Sequence, residues 1–228
     1  DAAHIRLLAE RFGNQKPLPR CLPPETSVLC TSRIRTVAIG KKPVIIGERI
    51  NPTGKKELTK ELREGSLETL LRLAWEQRET SDILDVNVAA SGSDEKRNMA
   101  AAVRALSALE MPLMLDSADP AVLEAGLKAF PGRALINSAS GCRESYERIL
   151  PLAVKYNAAV VLLALDDAGI PEASSGRLTI LRKLVQEAEK LGLSRRSLLA
   201  DSLVLSAATT PSEETLKTLR EARATGLH

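Results

Sequence analysis

From residue 43 onward the chain repeats one pattern: a short aliphatic run, then a long stretch with helical spacing. The runs are VII (44–46), ILDVNV (83–88), PLMLDS (112–117), RALINS (133–138), AAVVLLAL (158–165) and SLLADSLVL (197–205). Helix-period stretches cover Ser66 to about Glu79, Asp94–Leu109, Pro120–Phe130, Arg143–Tyr156, Ser175–Leu191 and Pro211–Ala224. Asp119-Pro120 and Thr210-Pro211 read as N-cap and first-turn pairs, and Gly192 as the residue that ends its helix. Nearly continuous apolar runs separated by helices predict parallel strands buried on both faces. An open doubly wound sheet and a (β/α)8 barrel both satisfy that pattern. The chain has neither the G-x-G-x-x-G fingerprint of dinucleotide-binding sheets nor a P-loop. A barrel needs eight units in roughly 250 residues, whereas these 228 residues hold six.

Residues 1–42 read differently. An amphipathic stretch carrying Ile5, Leu7, Leu8 and Phe12 runs into a segment with Pro17, Pro19, Pro23 and Pro24. That segment is expected to be a linker or extended arm rather than a core element. Composition narrows the chemistry. Aromatic residues are 2% of the chain and charges of both signs are interleaved around a net +3, which disfavours nucleic acid as a partner. The longest apolar run, 158–165, is too short to span a membrane, and the charged N-terminal stretch has no signal-peptide core. Cys21, Cys30 and Cys142 form neither a disulfide framework nor a zinc spacing, so a reducing, cytoplasmic setting is expected. The only histidines are His4 and His228, which leaves carboxylates, amides, hydroxyls and backbone to carry any chemistry, with no metal expected.

Those groups fall in a pattern. Three strand runs end in an acid or amide: Asp116, Asn137 and Asp201. ILDVNV carries Asp85 and Asn87, and the first strand leads into Asn51. Any one of them reads most simply as a helix cap. Together, on successive strands, they point to one rim, the carboxyl end where barrels keep their active sites. Buried acids and amides need partners, and a ligand rich in N–H donors and ring nitrogens would supply them.

IIGERINPTGKK (45–56), ILDVNV (83–88), LMLDSADPAVLEAGLK (113–128), ALINSASG (134–141) and LLALDDAGIP (162–171) together resemble the pterin-binding methyltransferase domain. This is the domain of cobalamin-dependent methionine synthases and of methyltetrahydrofolate:corrinoid methyltransferases, with dihydropteroate synthase a more distant relative. The resemblance covers 43–228. It implies a (β/α)8 TIM barrel of the pterin-binding type, truncated after about six of its eight units. HIRLLAERFGN resembles the end of a homocysteine-binding domain, so 1–42 is expected to be the tail of such a domain and a linker.

The resemblance further implies methyl transfer from N5 of methyltetrahydrofolate to a Co(I) corrinoid carried by another domain or protein. Asp116, Asn137 and Asp201 would hold the pterin, with Asp85, Asn87 and Asn51 as further contributors. The family's catalytic Asn, in a Gly-x-Ser-Asn motif on the seventh strand, would lie beyond residue 228. Expected partners are the folate, the corrinoid-binding domain and, as a homodimer, a second copy. Thr80-Ser81, Ala89 and Asp201-Ser202 depart from the family's Gly-Ala, Gly and Asp-Pro at those points. A dihydropteroate synthase-like enzyme and a non-catalytic folate-binding or assembly module are the alternatives. Glu48 and Arg49 are expected to hold the first loop, with an internal ion pair and ligand contact as the alternative roles. Ser117 and Ser138 are read as helix caps, with direct ligand contact the alternative, and Trp75 and Phe130 as helix-to-barrel packing. Cys142 is read as a loop residue and Lys55-Lys56 as a solvated helix start.

Overall fold

The structure is a computed structural model, and it describes residues 2–13, 27–40, 42–204 and 212–228. In chain order the elements are α1 (Ala2–Phe12), β1 (Val28–Thr31), β2 (Thr36–Ile39), β3 (Ile46–Ile50), α2 (Lys56–Glu64), α3 (Glu68–Arg78), β4 (Ile83–Asn87) and α4 (Glu95–Leu106). They continue with β5 (Leu113–Asp116), α5 (Pro120–Ala129), β6 (Leu135–Ser140), α6 (Arg143–Tyr156), β7 (Ala159–Leu163), α7 (Ser174–Lys190), β8 (Leu198–Asp201) and α8 (Ser212–Ala224).

Strands β3 to β8 form one parallel sheet in strict sequence order. A doubly wound sheet reverses its strand order partway, and this one does not, so the partial barrel is the architecture found. Among the described residues the sheet runs from β3 to β8 without closing. Alternate strand residues serve two cores. Leu84, Val86, Leu113, Leu115, Ile136, Val160 and Leu162 are fully buried among helix residues. Ile83, Met114, Leu135 and Ala159 point the other way, into the lumen. Helices sit close where small residues permit: a Cβ on Gly126 of α5 would meet Met99 at 2.9 Å and Leu115 at 3.0 Å. Asp119 caps α5, its Oδ1 accepting from Ala121 N at 2.8 Å with Pro120 in the first turn. Gly192 takes φ +87 after α7, as its position predicts. The Thr210-Pro211 pair lies outside the described residues.

Residues 28–39 are not an extended arm. β1 and β2 pair as an antiparallel hairpin whose Val28, Cys30 and Val37 pack on Ile83, Met114, Leu135 and Ala159. The hairpin therefore plugs the lumen at the amino ends of the strands. Arg133 pins it there, donating to the Leu29 carbonyl (2.8 Å), the Asn157 carbonyl (2.9 Å) and Ser197 Oγ (2.7 Å). Its backbone N–H also donates to Thr31 Oγ1. Two strands of four residues carry too short an alternation to stand out against the surrounding prolines. Phe130 is buried as expected, but Trp75 is 58% exposed, with Arg78 5.2 Å from its ring centroid. The ring lies on the solvent side of α3 and packs no barrel strand.

Candidate functional site

The lumen above the hairpin is built in rows set by strand register. One row is Asp85, Met114, Leu135 and Ala159. The next toward the carboxyl ends is Asn87, Asp116 and Asn137. Asp85 is thus the single carboxylate in a row that is otherwise apolar. It is 1% exposed, and among the described residues neither of its oxygens has a hydrogen-bond partner. Desolvation, then the nearby charges of Asp116 and Glu48, push its carboxyl up to about 8; the polar Asn137 side chain and the Val86 amide offset this only in part. At neutral pH Asp85 is a carboxylic acid and can donate a proton to a hydrogen bond.

Asp116 sits one row higher and is only half-buried. Burial raises its carboxyl above the usual carboxylate range, and Asn87 opposes that by donating Nδ2–H to Oδ2 at 2.8 Å. Asn87 is itself held by Ala89 N, which donates to Oδ1 at 2.9 Å. Two carboxyls on adjacent strands therefore stand in different environments, one deep and unpartnered, the other hydrogen-bonded and open to ligand.

Two cavities open from these rows. One, of about 460 Å³, is the lumen itself, bordered by Glu48, Met114, Leu135, Asn137, Val161 and Asp201. The second, of about 500 Å³, lies over the ends of β5 to β7 and is bordered by Asp116, Asn137, Ser138, Ser140, Cys142 and Arg148. Asn137 borders both. A larger hollow of about 780 Å³, with Arg195, Arg196 and Arg223, opens beside the amino end of β8. That is the face where barrel conservation reads as stability rather than chemistry.

The structure thus brings Asp85, Asn87, Asp116 and Asn137 together. Asp201 faces the same lumen from β8, with Oδ1 accepting from Leu203 N at 2.7 Å. Asn51 stands apart from both cavities: its Oδ1 accepts from Thr53 N at 2.9 Å and its carbonyl from Lys55 Nζ at 3.1 Å. Ser117 donates to Glu95 at 2.7 Å and accepts from Asp119 N at 3.1 Å, so it braces the turn ahead of α5, whose cap is Asp119. Ser138 lies within β6 and borders the rim cavity rather than capping a helix. Cys142 precedes α6 as a loop residue.

Glu48 is the residue that sequence reasoning underweighted. Pairing between β3 and β4 shifts register between Gly47 and Ile50, where Arg49 N donates to Gln77 Oε1 at 2.8 Å. Arg49 then pairs with Glu76 at 2.8 Å. Among the described residues Glu48 makes no ion pair, and it borders the lumen instead. Its alternation with Ile46 was the available signal.

A family model described as Pterin binding enzyme matches residues 47–228. The methionine synthase of Mycobacterium tuberculosis is 30% identical over 233 residues, covering 96% of this chain and 20% of that protein. The methionine synthase of Mycobacterium leprae is 28% identical with the same coverage. The chain therefore spans about a fifth of the length of these curated relatives. Among solved structures, the Xanthomonas albilineans dihydropteroate synthase with 4-aminobenzoic acid superposes with a TM-score of 0.61 at 21% identity, covering 88% of this chain and 73% of that one. The Coxiella burnetii dihydropteroate synthase in complex with pteroic acid gives 0.62 at 16% identity, covering 87% and 76%. At such identities these neighbours speak for the fold alone.

Proposed function

This chain belongs to the pterin-binding enzyme family, and on that premise we propose that its barrel mouth binds methyltetrahydrofolate and passes the N5-methyl group to a Co(I) corrinoid. The corrinoid would be carried by another domain or protein. The observation that carries the reading is the row of Asn87, Asp116 and Asn137 with the buried Asp85 one row beneath. A pterin edge presents adjacent donors, the 2-amino group and N3–H, beside acceptor nitrogens and a carbonyl oxygen. Asp116, when ionised, accepts from the donor pair in a short, charge-assisted contact. Asn137 can donate and accept, and Asp85 offers an O–H to a ring acceptor. Asp201 closes the far side, and Asn51, which borders neither cavity, is assigned no contact.

In the transfer the N5–CH3 bond breaks, the methyl carbon bonds to cobalt, and the N5 electron pair stays on the pterin. A tertiary amine leaves poorly, so a proton must reach N5 as the bond breaks. The residues described here contribute by fixing the ring and by the electrostatics around it. Similarity to methionine synthases supports methyl transfer over the dihydropteroate synthase alternative, whose structures share the barrel.

Titration of methyltetrahydrofolate against the chain and its Asp116→Ala variant tests the site. The variant is expected to bind about 1–3 kcal/mol more weakly, because the donor pair loses its acceptor. Unchanged affinity refutes the assignment. Formation of methylcobalamin from cob(I)alamin, by the chain or a longer protein containing it, tests the reaction. A protein that binds folate in the predicted way but never transfers the methyl group would be the binding module instead.

A further inference from the structure

Arg177, on α7, is fully buried, yet among the described residues it makes no ion pair. Its guanidinium contacts neutral oxygens. Nε donates to the Pro171 carbonyl at 2.8 Å, and Nη1 to the Ser202 carbonyl at 2.9 Å and Thr215 Oγ1 at 3.0 Å. Nη2 has no partner. Nearby, Glu214 of α8 accepts from Ser174 N at the start of α7 at 2.6 Å, so the two helix starts are latched in both directions. A cation whose direct contacts are all neutral is a poor device for stability in the interior, since desolvation costs several kcal/mol and only the more distant charge of Glu214 offsets it. An apolar side chain of similar volume would join α7 to α8 at less cost.

What the guanidinium does hold is the backbone just past Asp201. Ser202, whose carbonyl it binds, is the next residue along. Leu203, two residues past Asp201, takes φ +59 and donates its N–H back to Asp201 Oδ1. The turn that aims Asp201 is therefore fixed at two points, by the Asp201 carboxylate from within and by Arg177 from behind. We propose that Arg177 is a positioning residue, setting the peptide after β8 so that the Asp201 carboxylate faces the lumen beside Asn137 and Glu48. It acts through Asp201 and touches no ligand. This inference rests on the pterin-binding reading above.

The test is a double-mutant cycle with methyltetrahydrofolate as the probe, following both affinity and melting temperature. Arg177→Lys keeps the charge and loses the forked geometry, and is expected to weaken binding on the order of tenfold, since small misplacements of a binding group are costly. In an Asp201→Ala background the same change should leave affinity where Asp201→Ala alone puts it. In an Asp116→Ala background its effect should add in full. Thr215→Val, which removes one acceptor and leaves the guanidinium, should show the same coupling to Asp201 at smaller size, and serves if Arg177→Lys does not fold. A lowered melting temperature with unchanged affinity overturns the proposal, as does an affinity loss that adds to that of Asp201→Ala. Absence of folate binding by the unaltered chain overturns the function and this inference together. Normal binding without the coupling overturns this inference alone.

Discussion

Replacing Asp85 by Asn makes a sharp test of how the lumen is built. In the unfolded chain Asp85 titrates near its ordinary value of 3.8, whereas in the folded chain it titrates at about 8. Below about pH 3.8 both states hold the proton and the residue contributes nothing to the pH dependence. As pH rises from 5 to 7 the unfolded chain has released the proton and the native state still holds it. Stability then falls by about 1.4 kcal/mol per pH unit, or roughly 3 kcal/mol over the interval. Above about 8 the native carboxyl ionises too and the loss levels off. Asn is neutral throughout and fills nearly the same space, so its own burial cost is the same at every pH and drops out of the slope. Urea unfolding of both proteins at pH 5, 6, 7 and 8 gives the comparison, because groups common to both cancel in the difference. The variant should gain about 3 kcal/mol on the wild type between pH 5 and pH 7. A difference flat to within about 0.5 kcal/mol across that range, near the precision of extrapolation, would mean that Asp85 is solvated or paired, and the apolar row around it would be wrong.

Two further substitutions probe the frame and the second carboxyl. Arg133→Ala removes the side-chain hydrogen bond to the hairpin's Leu29 carbonyl and the two, to the Asn157 carbonyl and Ser197 Oγ, that fix the guanidinium at the amino ends of β7 and β8. It should cost about 2–4 kcal/mol in chemical unfolding and expose the hairpin amides to hydrogen exchange. Asn87→Ala removes the hydrogen bond that lowers the Asp116 carboxyl. On the proposed reading folate affinity falls as Asp116 takes up its proton, so in the variant that loss should begin at a higher pH than in the wild type, read by titrating binding against pH.

The barrel was legible because its signals are local. Asp119-Pro120 and Gly192 mark helix boundaries through contacts within a few residues. The aliphatic runs around Ile83, Leu113, Leu135 and Ala159 became strands because alternate side chains meet apolar groups on both faces. The short α2 was hinted at only by its Lys55-Lys56 start. The hairpin of Val28–Thr31 and Thr36–Ile39 escaped because its stability comes from residues far along the chain, above all Arg133.

By itself the sequence determined the kind of groups available and the end of the strands at which they gather. Strand alternation and the runs ending in Asp116, Asn137 and Asp201 are properties of neighbouring residues, readable without a fold. Only the tertiary structure decided which of two similar aspartates is deeply buried, with its carboxyl pushed up to about 8, that Glu48 borders the lumen while Arg49 pairs with Glu76, and that Arg177 of α7 holds the Ser202 carbonyl just past Asp201. Those outcomes depend on register between strands and on helices meeting across long loops. A stagger of one row separates Asp85, among Met114, Leu135 and Ala159, from Asp116, beside Asn87 and Asn137. Desolvation follows depth in the lumen, and depth is set by that stagger rather than by the residues next in line.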